Sequence, residues 1–270
     1  MSEPDYTSFI NWIDEEMNSV AIERKDDLST ALITKIPSSC CYYNSVTITV
    51  GRQRSGKTFT TIREISKISY ICHNTHVLLY VNNTGILTDK TFENYRHKIN
   101  LPIVYISHDD FEDYLRDMLK WKQLYNEIKY KKLELKIKDE QRDELFEKLF
   151  IEDFDSPFLH TLIMFEDVTH SKMLTKKNTY LKELLTQCAH INCSFFLVVH
   201  YWRAVNLDIK TQATTVFVFG GFSKQQLRYI LSQLNTTIEL EEYWEKYRAL
   251  GEREKMLIDT RTRDVEFNPK

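Results

Sequence analysis

Gly51-Arg52-Gln53-Arg54-Ser55-Gly56-Lys57-Thr58 is the stretch that decides the fold of this chain. It matches the phosphate-binding pattern G-x-x-x-x-G-K-[ST] at every fixed position. The β-branched run Val46–Val50 precedes it and predicts a buried strand, and apolar residues at helical spacing follow it in residues 59–70. A strand, a glycine loop and a helix in this order form the context of a genuine phosphate site.

The residue types of this loop explain what it would bind. Gly51 and Gly56 allow backbone angles that turn consecutive N–H groups inward around an anion. The helix that follows directs its positive end towards the same anion. Lys57 is expected to reach the β- and γ-phosphates, and the Thr58 hydroxyl is expected to bind Mg²⁺. We therefore predict ATP and Mg²⁺ as cofactors, while the preference for ATP over GTP stays open.

Length and composition narrow the class of protein. The 270 residues are 42% hydrophobic and include only six Gly and five Pro, which predicts one large α/β domain, alone or with an appendage. No apolar stretch approaches the roughly 20 residues of a membrane span. The segment 1–14 has an acidic character and lacks the apolar core of a signal peptide, so we expect a soluble, intracellular protein. The net charge of −3 neither demands nor excludes nucleic acid as a partner.

The cysteines suggest a reducing compartment. They are five in number and form no C-x-x-C pair, which favours free thiols. Cys188 and Cys193 flank His190, so a metal site is one interpretation of this segment. The simpler interpretation is that both thiols face the core, and we favour it.

The chain divides into an N-terminal segment, residues 1–42, and a nucleotide domain, residues 43–270. Phe9, Ile10, Trp12 and Ile13 predict a short helix in the first. Apolar runs alternate with helical patterns in the second, which predicts an α/β P-loop NTPase fold with a mostly parallel central sheet flanked by helices. The expected strands are residues 77–81, 103–106, 161–165, 194–199, 214–219, 255–259 and 264–267.

A charged helical insertion is predicted at residues 109–155. Apolar residues keep helical spacing through its first half, and both signs of charge are dense beyond it. A solvated insertion that packs on one edge of the domain is the favoured interpretation. A coiled-coil partner surface is the alternative, although the heptad register is not sustained.

An acidic strand end is the second part of the predicted site. Leu162–Phe165 is apolar and is followed by Glu166 and Asp167. One carboxylate at such a position holds Mg²⁺ and another positions the attacking water. Glu166 stands where Asp is usual and Asp167 where the catalytic carboxylate is usual, so the division of roles stays open. An ordinary acidic cap on a buried strand is the alternative.

Two further features concern the γ-phosphate. His200 directly follows the predicted strand 194–199, where ring ATPases place a polar residue that senses this phosphate; a structural histidine is the alternative. A ring would also need an arginine that acts on the neighbouring subunit's nucleotide. The candidates are Arg203, Arg253, Arg261 and Arg263.

The combination resembles the FtsK/HerA superfamily and, within it, the poxvirus-type viral DNA-packaging ATPases. The similarity spans about residues 43 to 262. Ala189 and His200 stand where that family has Arg and Gln, and Lys210 stands where it has Arg. The segments that carry the resemblance are residues 51–58, 165–167, 188–200, 207–212, 214–223, Tyr247 and 256–259.

This resemblance implies a RecA-like ATPase that moves double-stranded DNA into a viral capsid. It implies a homo-oligomeric ring, hexameric or pentameric, with capsid proteins as further partners. The resemblance also implies that the protein acts in the host-cell cytoplasm, at the viral factory, and that the virion is a further location. Lys57, Glu166, Asp167 and His200 would be the catalytic residues, with Thr58 and Glu166 at the metal.

The rival interpretations have no DNA partner. One is a P-loop NTPase switch or signalling protein that acts on a protein partner through the charged helices. A GTP switch would normally carry an Asn-Lys-x-Asp segment, and the sequence has none. A small-molecule kinase is another, and it would need an arginine-rich lid. DNA-stimulated hydrolysis separates the translocase from both.

Overall fold

The computed structural model describes residues 6, 9, 11, 12, 33–156, 158–170, 179–234 and 240–269. These residues form one eight-stranded sheet with helices on its faces. The strands are β1 (Val46–Val50), β2 (Thr75–Asn82), β3 (Ile103–Ser107), β4 (His160–Phe165), β5 (Cys193–Val199), β6 (Ala213–Phe219), β7 (Lys255–Asp259) and β8 (Asp264–Phe267). The helices are α1 (Lys57–Ile71), α2 (Lys90–Tyr95), α3 (Phe111–Tyr130), α4 (Asp139–Leu149), α5 (Thr179–Thr186), α6 (Leu207–Lys210), α7 (Lys224–Gln233) and α8 (Leu240–Arg248).

The sheet order is β3-β2-β4-β5-β1-β6-β7-β8. The first six strands in this order pair in parallel, and β7 and β8 close the sheet as an antiparallel pair. The predicted α/β P-loop fold with a mostly parallel sheet is confirmed. β5 lies between β1 and β4, so the strand that ends before His200 separates the phosphate-loop strand from the acidic strand.

Alternate residues along the strands pack into two separate cores, one on each face of the sheet. Val77, Leu79 and Val81 of β2 join the core that α3, α5 and α7 cover. Leu78 and Tyr80 join the core beneath α1 and α2. Burial on both faces explains why the parallel strands are continuous apolar runs in the sequence.

Buried polar residues extend β2 and β4 beyond their predicted starts. β2 starts at Thr75 and β4 at His160, and the His160 Nδ1 lies 2.9 Å from the Thr75 hydroxyl oxygen. His76 Nε2 lies 2.9 Å from the hydroxyl oxygen of Thr161. These cross-strand hydrogen bonds satisfy groups that a hydrophobicity pattern assigns to a loop.

Two helices, α3 and α4, occupy the predicted insertion 109–155. The first turns of α3 pack into the main core, and its later turns pack with α4 in a third cluster that includes Phe9. Residues 6, 9, 11 and 12 are helical, while Ile10 and Ile13 lie outside the described residues. The boundaries at 42 and 43, and those of the insertion, stay a prediction.

The end of β6 leads into α7 through a capping box. The Ser223 hydroxyl accepts from the Gln226 backbone N–H, and the Gln226 side chain accepts from the Ser223 backbone N–H.

No helix in the described part of the chain is long and apolar enough to cross a membrane.

Candidate functional site

The phosphate loop joins β1 to α1 and depends on both of its glycines. Gly56 has φ 99°, a left-handed conformation that favours glycine. A Cβ at Gly51 would lie 2.7 Å from the Phe219 Cβ and 2.7 Å from the Ser55 Oγ. The first turn of α1 has no side-chain cap and no acidic residue. Its N–H groups are therefore available to an anion, as phosphate binding requires.

Lys57 lies beneath this loop and faces His200. Its Nζ donates to the Arg52 carbonyl at 2.8 Å and lies 3.1 Å from the His200 Nδ1. Burial lowers the pKa of Lys57, although the carboxylates of Glu166, Asp167 and Asp89 oppose that shift. An ammonium group only donates, so Nδ1 of His200 accepts and its Nε2 carries the proton.

The acidic strand end contacts both the loop and the histidine. The Thr58 hydroxyl donates to Glu166 Oε1 at 2.9 Å, and the two residues are 108 positions apart in sequence. His200 Nε2 lies 3.4 Å from Asp167 Oδ1. Asp167 has φ 48°, in the left-handed region, so the chain turns sharply between the two acids. Glu166 therefore contacts the loop threonine, whereas Asp167 contacts the residue at the end of β5.

Thr58 and Glu166 fit a magnesium ion. Mg²⁺ prefers oxygen ligands, and it is commonly held by one or two carboxylates together with substrate phosphates. Glu166 Oε2 is buried and has no hydrogen-bond partner among the described residues. A buried carboxylate oxygen without a hydrogen-bond partner, next to a hydroxyl oxygen, offers two oxygen ligands to a cation.

The environment of Glu166 raises its pKa to about 8. Burial is the main cause, and the charge of Asp89 adds to it. The hydrogen bond from Thr58 and the charge of Lys57 oppose the increase. Glu166 is therefore largely protonated at neutral pH until a cation or another positive charge approaches it.

The raised pKa of Glu166 predicts how stability depends on pH without nucleotide and metal. The folded protein holds this proton more tightly than the unfolded chain, whose carboxyl has a pKa near 4.5. The resulting stability is complete below that value and is lost as pH rises through about 8. Glu166→Gln keeps the neutral shape, so at about pH 9 its Tm should exceed that of the wild type by about 2–4 °C or more.

Thermal melts of both proteins across this pH range measure the difference. It should disappear near pH 4, where Glu166 is protonated in both the folded and unfolded states. Glu140→Gln, on the exposed face of α4, is the control and should track the wild type. A constant difference between Glu166→Gln and the wild type at all pH values would contradict the prediction.

The loop, the acids and the histidine line one cleft of about 950 Å³. Five of the predicted loop residues line it, and Gly51, Arg52 and Ser55 lie outside its lining. The predicted site residues that the structure brings together there are Gln53, Arg54, Gly56, Lys57, Thr58, Glu166, Asp167 and His200.

Sequence reasoning missed a polar segment that lines the same cleft and begins at the last residue of β2. It includes Asn82, Thr84 and Asp89. Asp89 caps α2 by accepting from the Phe92 N–H at 2.7 Å, and its charge acts on both Lys57 and Glu166. The signal in the sequence was the Asn82-Asn83-Thr84 run. It directly follows the predicted strand 77–81, and ligands bind where the carboxyl ends of parallel strands meet.

The candidate arginines lie at two different edges of the sheet. Arg253 lines the cleft of its own chain, and Arg203 lies just beyond His200, at the carboxyl ends of the parallel strands. Arg261 and Arg263 lie between β7 and β8. Because β7 runs antiparallel to β6, this turn is at the opposite edge, away from the cleft.

Comparison with known proteins gives matches among solved structures alone. No protein-family model matches the sequence, and no curated protein sequence matches it. The structure of B204, the DNA-packaging ATPase of Sulfolobus turreted icosahedral virus, superposes with a TM-score of 0.53 and 13% identity. The alignment covers 84% of this chain and 97% of that one.

Two further structures have a similar fold. The genome packaging NTPase B204 of Sulfolobus turreted icosahedral virus 2, in complex with ATP-gammaS, has a TM-score of 0.51 and 14% identity over 84% of this chain and 97% of that chain. EssC (ATPases 2 and 3) from Geobacillus thermodenitrificans has a TM-score of 0.52 and 8% identity over 83% of this chain and 39% of that one. The chain has the fold of these P-loop ATPases.

Proposed function

We propose that this protein is an ATP-driven translocase of double-stranded DNA that packages a viral genome, of the poxvirus type within the FtsK/HerA superfamily. One observation carries the proposal. The residues that a single chain would contribute to ATP hydrolysis converge at one cleft, on a fold that viral packaging ATPases share. These residues are Lys57, Thr58, Glu166, Asp167 and His200.

Each of these side chains has a distinct role in the proposed reaction. The loop N–H groups and Lys57 stabilise negative charge on the β- and γ-phosphates. Thr58 and Glu166 hold Mg²⁺, which neutralises phosphate charge when it is bound. Asp167 orients the attacking water and accepts hydrogen bonds from it. His200, which lies between Lys57 and Asp167, donates to the γ-phosphate and so responds to its presence.

The contacts of the two acids support this division of roles. Glu166 accepts from the hydroxyl of Thr58, the residue whose oxygen is the other proposed metal ligand. Asp167 faces His200, and its side chain is 47% exposed, so that water can reach it. The unusual order of the two acids thus leaves each in a suitable place.

The proposed assembly is a ring of identical subunits, hexameric or pentameric, that surrounds the DNA and docks on capsid proteins. It would act in the cytoplasm of the host cell, at the viral factory, and in the virion. An arginine of the neighbouring subunit would complete each site. Of the four candidates, Arg203 and Arg253 lie at the edge of the sheet that holds the cleft, whereas Arg261 and Arg263 lie at the opposite edge.

Duplex DNA of any sequence is expected to stimulate ATP hydrolysis, and added salt should reduce the stimulation steeply. Each phosphate that the protein neutralises releases counterions, so six to ten such contacts lower affinity by about 10³–10⁵-fold between 50 and 200 mM salt. Steady-state ATPase assays with two unrelated duplexes over a salt series measure this.

The control for this assay is Lys57→Ala, which should show no hydrolysis with or without DNA. The oligomeric state is checked in parallel by mass measurement with an ATP analogue and DNA. If a confirmed oligomer hydrolyses ATP at rates that ignore DNA at every salt concentration, a nucleotide switch acting on a protein partner is the better interpretation.

A further inference from the structure

A second groove lies next to the cleft at the same edge of the sheet. The segments that follow β5 and β6 form one side of it, and α7 forms the other. Its volume is about 940 Å³, close to that of the cleft. The cleft and the groove share no lining residue. However, His200 lines the cleft and the next residue, Tyr201, lines the groove. An occupant of the groove would therefore lie one peptide unit from a residue that contacts Lys57.

The side chains of this groove are suited to an anion. None of its eleven lining residues is acidic, whereas two are arginines and several are Tyr, Gln or Ser. Tyr201 is 63% exposed. The Arg203 guanidinium lies 5.3 Å from the centre of the Tyr229 ring, and no described carboxylate lies within 4 Å of it. Arg228 pairs with Glu241 at 2.9 Å on the exposed rim, so Arg203 is the more available cation.

A buried lysine adds positive charge beneath the groove. Lys210 is only 3% exposed and donates to Gln233 Oε1 at 2.7 Å. Its Nζ lies 5.1 Å from the Trp202 ring centre and 5.7 Å from that of Tyr229, two residues that line the groove. Within the described residues it forms no ion pair. Burial lowers its pKa to about 8, so most of the population is charged at neutral pH.

The buried position of Lys210 favours an anion as the occupant of the groove. A buried charge without an opposite charge is costly, because water no longer solvates it fully. The aromatic rings offset part of this cost through cation–π attraction. An anion held in the groove above Trp202 and Tyr229 would offset more of it, since attraction is stronger where water is excluded.

We propose that this groove binds the phosphate backbone of duplex DNA, with Arg203 and Tyr201 as its main contacts. Arg, Tyr, Gln and Ser are among the side chains that contact phosphate and sugar in protein–DNA complexes, and such contacts carry no sequence information. The inference rests on the proposed DNA translocation and assigns the surface through which DNA would act on His200.

Duplex binding by groove variants tests this assignment. Fluorescence anisotropy of a labelled duplex is measured without nucleotide, so that hydrolysis does not enter the result. Arg203→Ala should weaken binding about tenfold and reduce the slope of log affinity against log salt by about 1, the effect of one lost phosphate contact. Arg203→Glu should weaken it further, and Tyr201→Ala should weaken it with a smaller change in slope.

The matched control is Arg116→Ala. Arg116 also lies over a tyrosine ring, 5.5 Å from the centre of Tyr180, but it pairs with Glu112 on α3 outside the groove. The affinity of the Arg116→Ala variant for DNA should equal that of the wild type. Circular dichroism confirms that each variant is folded.

The outcomes distinguish the groove from the proposed function. If the wild type binds duplex DNA but Arg203→Ala and Tyr201→Ala bind it equally well, the groove assignment is wrong and translocation stands. If the wild type does not bind duplex DNA, both fail. If polyglutamate binds the wild type more tightly than the duplex does at matched charge concentration, and Arg203→Ala abolishes that binding, the groove is a site for acidic protein segments instead.

Discussion

Lys57→Ala should abolish ATP hydrolysis, with turnover at least about a thousandfold below that of the wild type. Lys57 is the cation of the phosphate loop, and its Nζ lies within 3.1 Å of His200, opposite the acids. Alanine removes the charge that would stabilise the developing negative charge on the transferred phosphate. It also removes the hydrogen bond from Lys57 to the Arg52 carbonyl of the same loop.

The fold should survive this substitution because Lys57 is not part of the apolar core. The substitution also removes a buried cation whose pKa burial already lowers. Phosphate release measures turnover, and thermal melting measures stability. The control is Lys182→Ala, which removes a lysine that pairs with Asp208 on the surface. Wild-type turnover in the Lys57→Ala protein would show that the loop does not bind the reacting nucleotide.

The two acids should respond differently to neutralisation. Asp167→Asn should retain Mg-ATP binding but lose about 10²–10⁴-fold in turnover, the usual contribution of a group that accepts a proton or orients water. Glu166→Gln should instead weaken nucleotide binding in the presence of Mg²⁺. The reason is geometric, since Glu166 contacts Thr58 whereas Asp167 contacts His200.

Binding and turnover are measured separately to establish these roles. Titration with a fluorescent ATP analogue, with and without Mg²⁺, gives the part of the affinity that depends on the metal. Asp143→Asn, an exposed carboxylate on α4, is the matched control and should change neither quantity. If Asp167→Asn loses the metal-dependent affinity and Glu166→Gln loses turnover alone, the two roles are reversed.

Local patterns in the sequence were sufficient for several parts of this protein. The glycines of the phosphate loop, the strand that precedes it and the helix that follows it lie within 26 consecutive residues, 46–71. The closing strands β7 and β8 also lie where the sequence predicts them. These features depend on backbone conformation and on the spacing of apolar residues, which neighbouring residues determine.

Only the tertiary structure decided how distant segments meet. The order of strands places β5 between β1 and β4 and so brings His200 between Lys57 and Asp167. It also brings Asp89 and Arg253 to the cleft and buries Lys210 beneath the second groove. A run of apolar residues predicts that a strand is buried but not which strands lie beside it. The reason is that every strand of a parallel sheet is buried on both faces, so the strands have similar apolar sequences. The loop could therefore be recognised from the sequence, whereas its partners across the sheet depend on contacts between residues far apart in the chain.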